Sequence, residues 1–208
     1  MTGRAKRSTS KQSAATPRTA KRRPRTPAPE QTAIARTTAV TRAPVVAEAA
    51  APHLLAHIDG GARGNPGPAG YGVHLTTAAG EPVAEIYGYL GVATNNIAEY
   101  AALLALLEHA LALRPARLAI RSDSELLIRQ MKGEYRVKDP KLKVLHTEAR
   151  LMVARLSGVS FEHVRRERNR EADALANRAM DERAGSGPLP AALRVVPALM
   201  TQARLPNL

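Results

Sequence analysis

Four acidic residues have types and surroundings that could do chemistry: Asp59 in HIDGG, Glu99 in NNIAEY, Asp123 in RSDSEL and Asp173 in READAL. Carboxylates gathered in one partly buried place cannot all stay ionised without cations, because each raises the proton affinity of the others. Hard oxygen donors, with no cysteine anywhere in the chain, point to Mg2+ or Mn2+. Two such ions about 4 Å apart are the usual device for in-line displacement at phosphorus.

Taken singly, each acid also has a purely structural account. Glu99 lies three residues after Asn96, the spacing of a capping box. Asp123 could cap a helix starting at Ser124. Asp173 falls in a helical first turn, where the macrodipole favours negative charge. Asp59, followed by Gly60, could be a turn signal. Asp59 is the hardest to explain this way. It ends the apolar run LLAHID on the same face as Leu55 and His57, where a lone carboxylate would be costly to desolvate.

After Asp59 comes GGARGNPGPAGYG, with glycines at 61, 64, 67 and 70. The repeat is far too short for a collagen triple helix. It also leads into another strand, not into the helix a phosphate-cradling loop requires. The expectation is that these glycines let the backbone approach a ligand beside Asp59.

The elements that must position the acids follow from periodicity. Residues 54–59, 71–77 and 83–90 read as strands, the last two joined by a turn at AAGEP. Residues 94–115 carry apolar side chains at helical spacing, with Asn95 or Asn96 as cap and Pro115 beyond the end. A strand at 117–123, helices at 124–131 and 141–156, a strand at 159–164 and a helix at 170–183 capped by Asn169 complete the set. The order βββαβααβα predicts an α/β fold with a mixed sheet and helices packed on it. A strand at 117–123 running parallel beside 54–59 would bring Asp123 to the same sheet end as Asp59, the end where open α/β sheets bind ligands. Helices carrying Glu99 and Asp173 could complete the cluster.

The charge is unevenly placed. The chain carries a net +13, yet residues 1–52 hold 11 Lys/Arg against 2 Glu, while 53–183 are nearly neutral. Residues 1–52 lack apolar periodicity and read as a disordered basic extension: a nucleic-acid-binding arm, a solubilising tail or a transit peptide. Residues 184–208 form a tail with four prolines that docks on the domain or hangs free. No apolar run approaches the roughly 18–20 residues of a membrane span. The expectation is therefore a cytoplasmic monomer with no membrane partner.

Four blocks in order, DGGARGNPGPAGYG (59–72), TNNIAEYAAL (94–103), SDSELLIRQMKGEYRVK (122–138) and ERNREADALANRAM (167–180), resemble type I ribonuclease H. The resemblance spans residues 53–183 and is closest to the branch with GEYRVK in place of a long basic protrusion. It implies a ribonuclease H-like fold with strand order 3-2-1-4-5, and Asp59, Glu99, Asp123 and Asp173 as catalytic ligands of two Mg2+ ions, with Mn2+ able to substitute. It implies hydrolysis of the RNA strand of RNA–DNA hybrids, leaving 3′-hydroxyl and 5′-phosphate ends. Substrate contacts would come from Gly60, Gly61, Arg63 and Asn65, from Asn95 and Asn96 at RNA 2′-hydroxyls, and from Thr94 at a DNA phosphate. Alternatives are the same chemistry on double-stranded RNA or RNA–DNA junctions, or a nucleic-acid-binding module that does not cleave.

Two departures from the family pattern stand out. Many members carry a flexible histidine before the last helix, where this chain has VRRERN (164–169). Arg166 or Arg168 could substitute electrostatically, though an arginine cannot shuttle protons at neutral pH. His163 is close, and its strand position predicts a packed side chain. Glu125 stands where many members have a substrate-contacting glutamine.

Overall fold

The computed structural model describes residues 51–194. The expected disorder of the basic extension, apart from residues 51 and 52, lies outside these residues, as does the tail beyond 194.

Three long strands open the domain: β1 (His53–Ala62), β2 (Gly67–Thr77) and β3 (Pro82–Ala93). Helix α1 (Asn95–Leu113) follows, then β4 (Arg117–Ser122), α2 (Glu125–Met131), α3 (Pro140–Val153) and β5 (Val159–His163). A 3-10 turn at Arg166–Arg168 leads into α4 (Arg170–Glu182), and a short α5 (Ala191–Arg194) closes the described chain. The strands form one sheet in the order β3-β2-β1-β4-β5. The β1–β2 and β2–β3 pairs are antiparallel, and the β1–β4 and β4–β5 pairs are parallel. This is the expected topology.

Leu54, Ala56 and Ile58 alternate on the β1 face that packs with the buried side of α1. That helix is rich in alanine and leucine, and eleven of its nineteen residues are buried. By length and composition α1 could cross a bilayer, contrary to the reading that no segment comes near this. Its apolar surface is instead taken up by the sheet and by α3. Its cap is Thr94, whose hydroxyl accepts from the Ile97 N–H; Asn95 and Asn96 are already inside the helix.

Two of the glycines also make room for helices. A Cβ on Gly60 would lie 2.1 Å from the backbone of Ala98 in α1, and one on Gly72 would lie 2.3 Å from the Ala172 carbonyl in α4. These two positions let a helix backbone lie against each face of the sheet. Helix α4 contributes Ala172, Leu175, Ala176, Ala179 and Met180 to its contact, a stripe at helical spacing.

The first part of the tail docks. The Tyr89 N–H donates to the Ala184 carbonyl, and the Ser186 N–H donates to the Tyr87 carbonyl, so residues 184–186 cover the edge of β3. Glu108 of α1 accepts from the Ala191 N–H at 2.6 Å, and Leu193 is buried in the core beyond it.

Candidate active site

Strands β1 and β4 run parallel with His57 opposite Arg121. Asp59 and Asp123 each lie two residues further on, at the same end of the sheet. Close packing of α1 over Gly60 brings Glu99 to that end as well. The three carboxylates present ligand oxygens that all lie within 4.8 Å of one another. They line a cavity of roughly 340 Å3 together with Arg63, Asn95, Arg166 and Asp173.

The electrostatics of Asp59 and Glu99 show the strain of this proximity. Burial, then the charge of Asp123 and a hydrogen bond with it, push Asp59 up to about 7. Glu99 is raised well above the ordinary carboxylate range, first by burial and then by Asp59 and Asp123. Hydrogen bonds from Ser122 and Ser124 act in the opposite direction on Glu99. Even so, Glu99 Oε2 is covered and finds no donor among the described residues. Its capping-box account fails, because the side chain points into the cavity and not back to the helix start. Asp123 does not cap α2 either, since Ser124 fills that role.

An orphaned buried oxygen and three converging carboxylates, Asp59 and Glu99 among them raised, fit a divalent cation with oxygen preference. Such an ion would satisfy Glu99 Oε2 and hold all three acids ionised.

Asp173 stands apart from that trio. It lines the same cavity, but its Oδ1 accepts from Arg166 at 2.7 Å and its Oδ2 from Asn177 at 3.1 Å. The expected cluster of four is, in this structure, three acids and a neighbour held by a cation and an amide.

The expected substrate residues separate into three places. Gly60, Gly61, Arg63, Asn95 and Arg166 line the carboxylate cavity. Arg63 is paired with Asp181 at 2.6 Å. Asn95 Oδ1 accepts from the Ala62 N–H at 2.7 Å, and the Asn95 N–H donates to Asn65 Oδ1, so these asparagines tie the glycine loop to the start of α1. Asn65, Thr94 and Asn96 line a second depression beside Asp139 and Lys141. Arg168 lies in a third, away from the acids, with His163 and Glu167.

His163 is not packed as expected. It is exposed at the end of β5, and its Nε2 donates to the backbone carbonyl of Asp123 at 3.2 Å. Glu125 is engaged by Arg129 one helical turn away. A further groove, lined by Lys132, Arg136, Lys143 and Arg150 beside Tyr135, holds four cations and no acid.

Sequence reasoning missed two residues that hold the acids. Asn177 sits one helical turn after Asp173, a spacing that could have revealed the contact. Asn169, read as a helix cap, makes no side-chain capping bond and turns inward instead.

Comparison with known proteins gives a consistent picture. Residues 57–179 match the family described as reverse transcriptase-like. A bifunctional protein of Mycobacterium tuberculosis is 45% identical over 134 residues, 64% of this chain and 37% of the relative. The ribonuclease H of Methylococcus capsulatus is 33% identical over 67% of this chain and 97% of its own length. The solved structure of LC11-RNase H1 in complex with RNA/DNA hybrid superposes with a TM-score of 0.60 at 41% identity, covering 62% of this chain and 98% of that one. The chain thus spans little more than a third of the mycobacterial relative.

Proposed function

The chain belongs to the ribonuclease H family, and from that premise we propose that it hydrolyses the RNA strand of RNA–DNA hybrids with the help of divalent cations. The observation that carries this reading is the convergence of Asp59, Glu99 and Asp123 oxygens within 4.8 Å at the carboxyl end of the sheet.

Asp59, Glu99 and Asp123 would hold the cation, with Asp173 joining a second ion if Arg166 releases it. Bound there, Mg2+ or Mn2+ supplies the Lewis acidity that activates water and offsets charge growing on a scissile phosphate. The reaction breaks the bond from phosphorus to the 3′ oxygen, giving a 3′-hydroxyl and a 5′-phosphate. Arg166, exposed at the rim, places a cation where a phosphate enters. The backbone of Gly61–Arg63 and the amide of Asn95 border the same cavity and could recognise a 2′-hydroxyl, the group that distinguishes RNA from DNA.

The groove of Lys132, Arg136, Lys143 and Arg150 would hold further phosphates, and the basic residues 1–52 would add a second, less specific grip. A binding module without cleavage is disfavoured, because acids facing phosphates weaken binding unless a cation lies between. The test is to offer the protein labelled RNA–DNA hybrid, RNA duplex, RNA–DNA junction and DNA duplex in Mg2+ and in chelator. Cleavage of the hybrid's RNA strand in Mg2+ alone is the expected result. Preference for the RNA duplex or the junction would reassign the substrate, and no cleavage of any would overturn the proposal.

A further inference from the structure

Asn169 is fully buried between the 3-10 turn and α4, although its residue type and place suggested a helix cap. Its Nδ2 donates to the Ile58 carbonyl at 2.9 Å and to Asp123 Oδ1 at 3.1 Å. Its backbone carbonyl accepts from the Asp173 N–H at 3.0 Å. One residue therefore touches the neighbour of Asp59 on β1, the carboxylate of Asp123 beyond β4, and the backbone of Asp173 in α4.

The amide orientation follows from its partners. Both are oxygens, so the nitrogen must face them, and both its hydrogens are used. Its Oδ1 is then buried with no donor among the described residues. Buried polar atoms without partners are rare, and one kept in a core calls for an explanation other than stability. Holding Asp123 Oδ1 restricts rotation of that carboxylate and aims it toward Asp59 and Glu99. Anchoring the same amide on Ile58 sets this aim relative to β1.

We infer that Asn169 is a positioning residue whose side chain fixes the Asp123 carboxylate against β1. The inference rests on Asp59, Glu99 and Asp123 being the cation ligands. Groups that orient ligating carboxylates commonly matter about 10- to 100-fold for affinity or activity.

The test is calorimetric titration of Mn2+ into the full chain and its Asn169→Ala, Asp123→Asn and doubly substituted forms, with melting temperature measured in chelator for each. Asn169→Ala should weaken Mn2+ binding about 10- to 100-fold. Because it acts through Asp123, the double variant should bind no more weakly than Asp123→Asn alone. On hybrid, kcat should fall with KM little changed. Unchanged Mn2+ affinity, or losses that simply add, would overturn the role and leave Asn169 a packing residue. Asn169→Ser, which keeps one donor in the space, is read for the same two outcomes if the alanine form does not fold. Asp59→Asn serves as control: if it binds Mn2+ like the wild type, the ligand assignment itself is wrong, whatever Asn169 does.

Discussion

Asp59 in β1 and Asp123 just beyond the parallel strand β4 each lie two residues past the His57–Arg121 pair, and each is a carboxylate. Such a placement is unfavourable in isolation. The metal-free protein carries Asp59 with a proton affinity pushed up to about 7 by burial and by Asp123. In the unfolded chain Asp59 ionises near 4, so between about pH 4 and 7 the folded state binds more protons than the unfolded one. Stability from this group is therefore lost as pH rises through that window. In chelator, the melting temperature should fall from pH 5 to pH 8 more in the wild type than in Asp59→Asn. Mg2+ should raise it more at pH 8 than at pH 5. Thermal melts across pH with and without metal check both.

Asp59→Asn should accordingly separate stability from activity. Relieving the repulsion should stabilise the metal-free protein at pH 8, on the order of a kcal/mol or more. Denaturant melts in chelator measure this. An acid that served only as a turn signal would give no such gain.

The close approach at Gly60 sets the position of Glu99. Gly60→Ala places a methyl group inside the α1 backbone, at 2.1 Å from Ala98. It should cost at least about 2 kcal/mol of stability, with α1 displaced and Mn2+ affinity reduced. Gly80→Ala, where a Cβ meets nothing within 4 Å but φ is +92°, should cost about 1 kcal/mol through backbone strain and leave metal binding unchanged. Denaturant melts and calorimetry compare the two.

Docking of residues 184–193 covers the β3 edge and fills the core at Leu193. Leu193→Ala should destabilise the domain by about 2–4 kcal/mol, and Glu108→Ala, which uncaps the Ala191 N–H, by about 1 kcal/mol. Both should retain the wild-type kcat at low temperature, because neither side chain lines the carboxylate cavity.

Electrostatic grip should be divided between the groove and the basic extension. Replacing Lys132, Arg136 and Lys143 by alanine should lower the slope of log affinity against log salt by about 1 for each phosphate left without its cation. Removing residues 1–52 should flatten the slope further. Binding titrations over a salt series decide it, and unchanged binding of the truncated protein at low salt would exclude the extension.

Much of this site is legible in the sequence alone. Asp59 and Asp123 end apolar strands, and alternation on a strand places a side chain well when one face is buried. The sheet order follows from the resemblance and agrees with the strand–helix succession. One misreading comes from a residue type that serves two purposes locally. Asparagine caps helices, yet Asn169 bonds across to Ile58 and Asp123, 111 and 46 residues away. Glycine permits unusual φ and also permits close approach. In the loop after Asp59, Gly64 has a positive φ, while Gly60 and Gly72 make room for helices. Asp173 lies at the expected cavity but not with the trio. Nothing in the local spacing says that Arg166 reaches it first.

The most direct measurement is single-turnover cleavage of end-labelled RNA–DNA hybrid by the full chain and by Asp59→Asn, in Mg2+ and in chelator. The account predicts cuts in the RNA strand that leave 5′-phosphates, seen only with wild type and Mg2+, and a rate for Asp59→Asn lower by at least about a hundredfold. Cleavage that persists in chelator, or at the wild-type rate in Asp59→Asn, would contradict it.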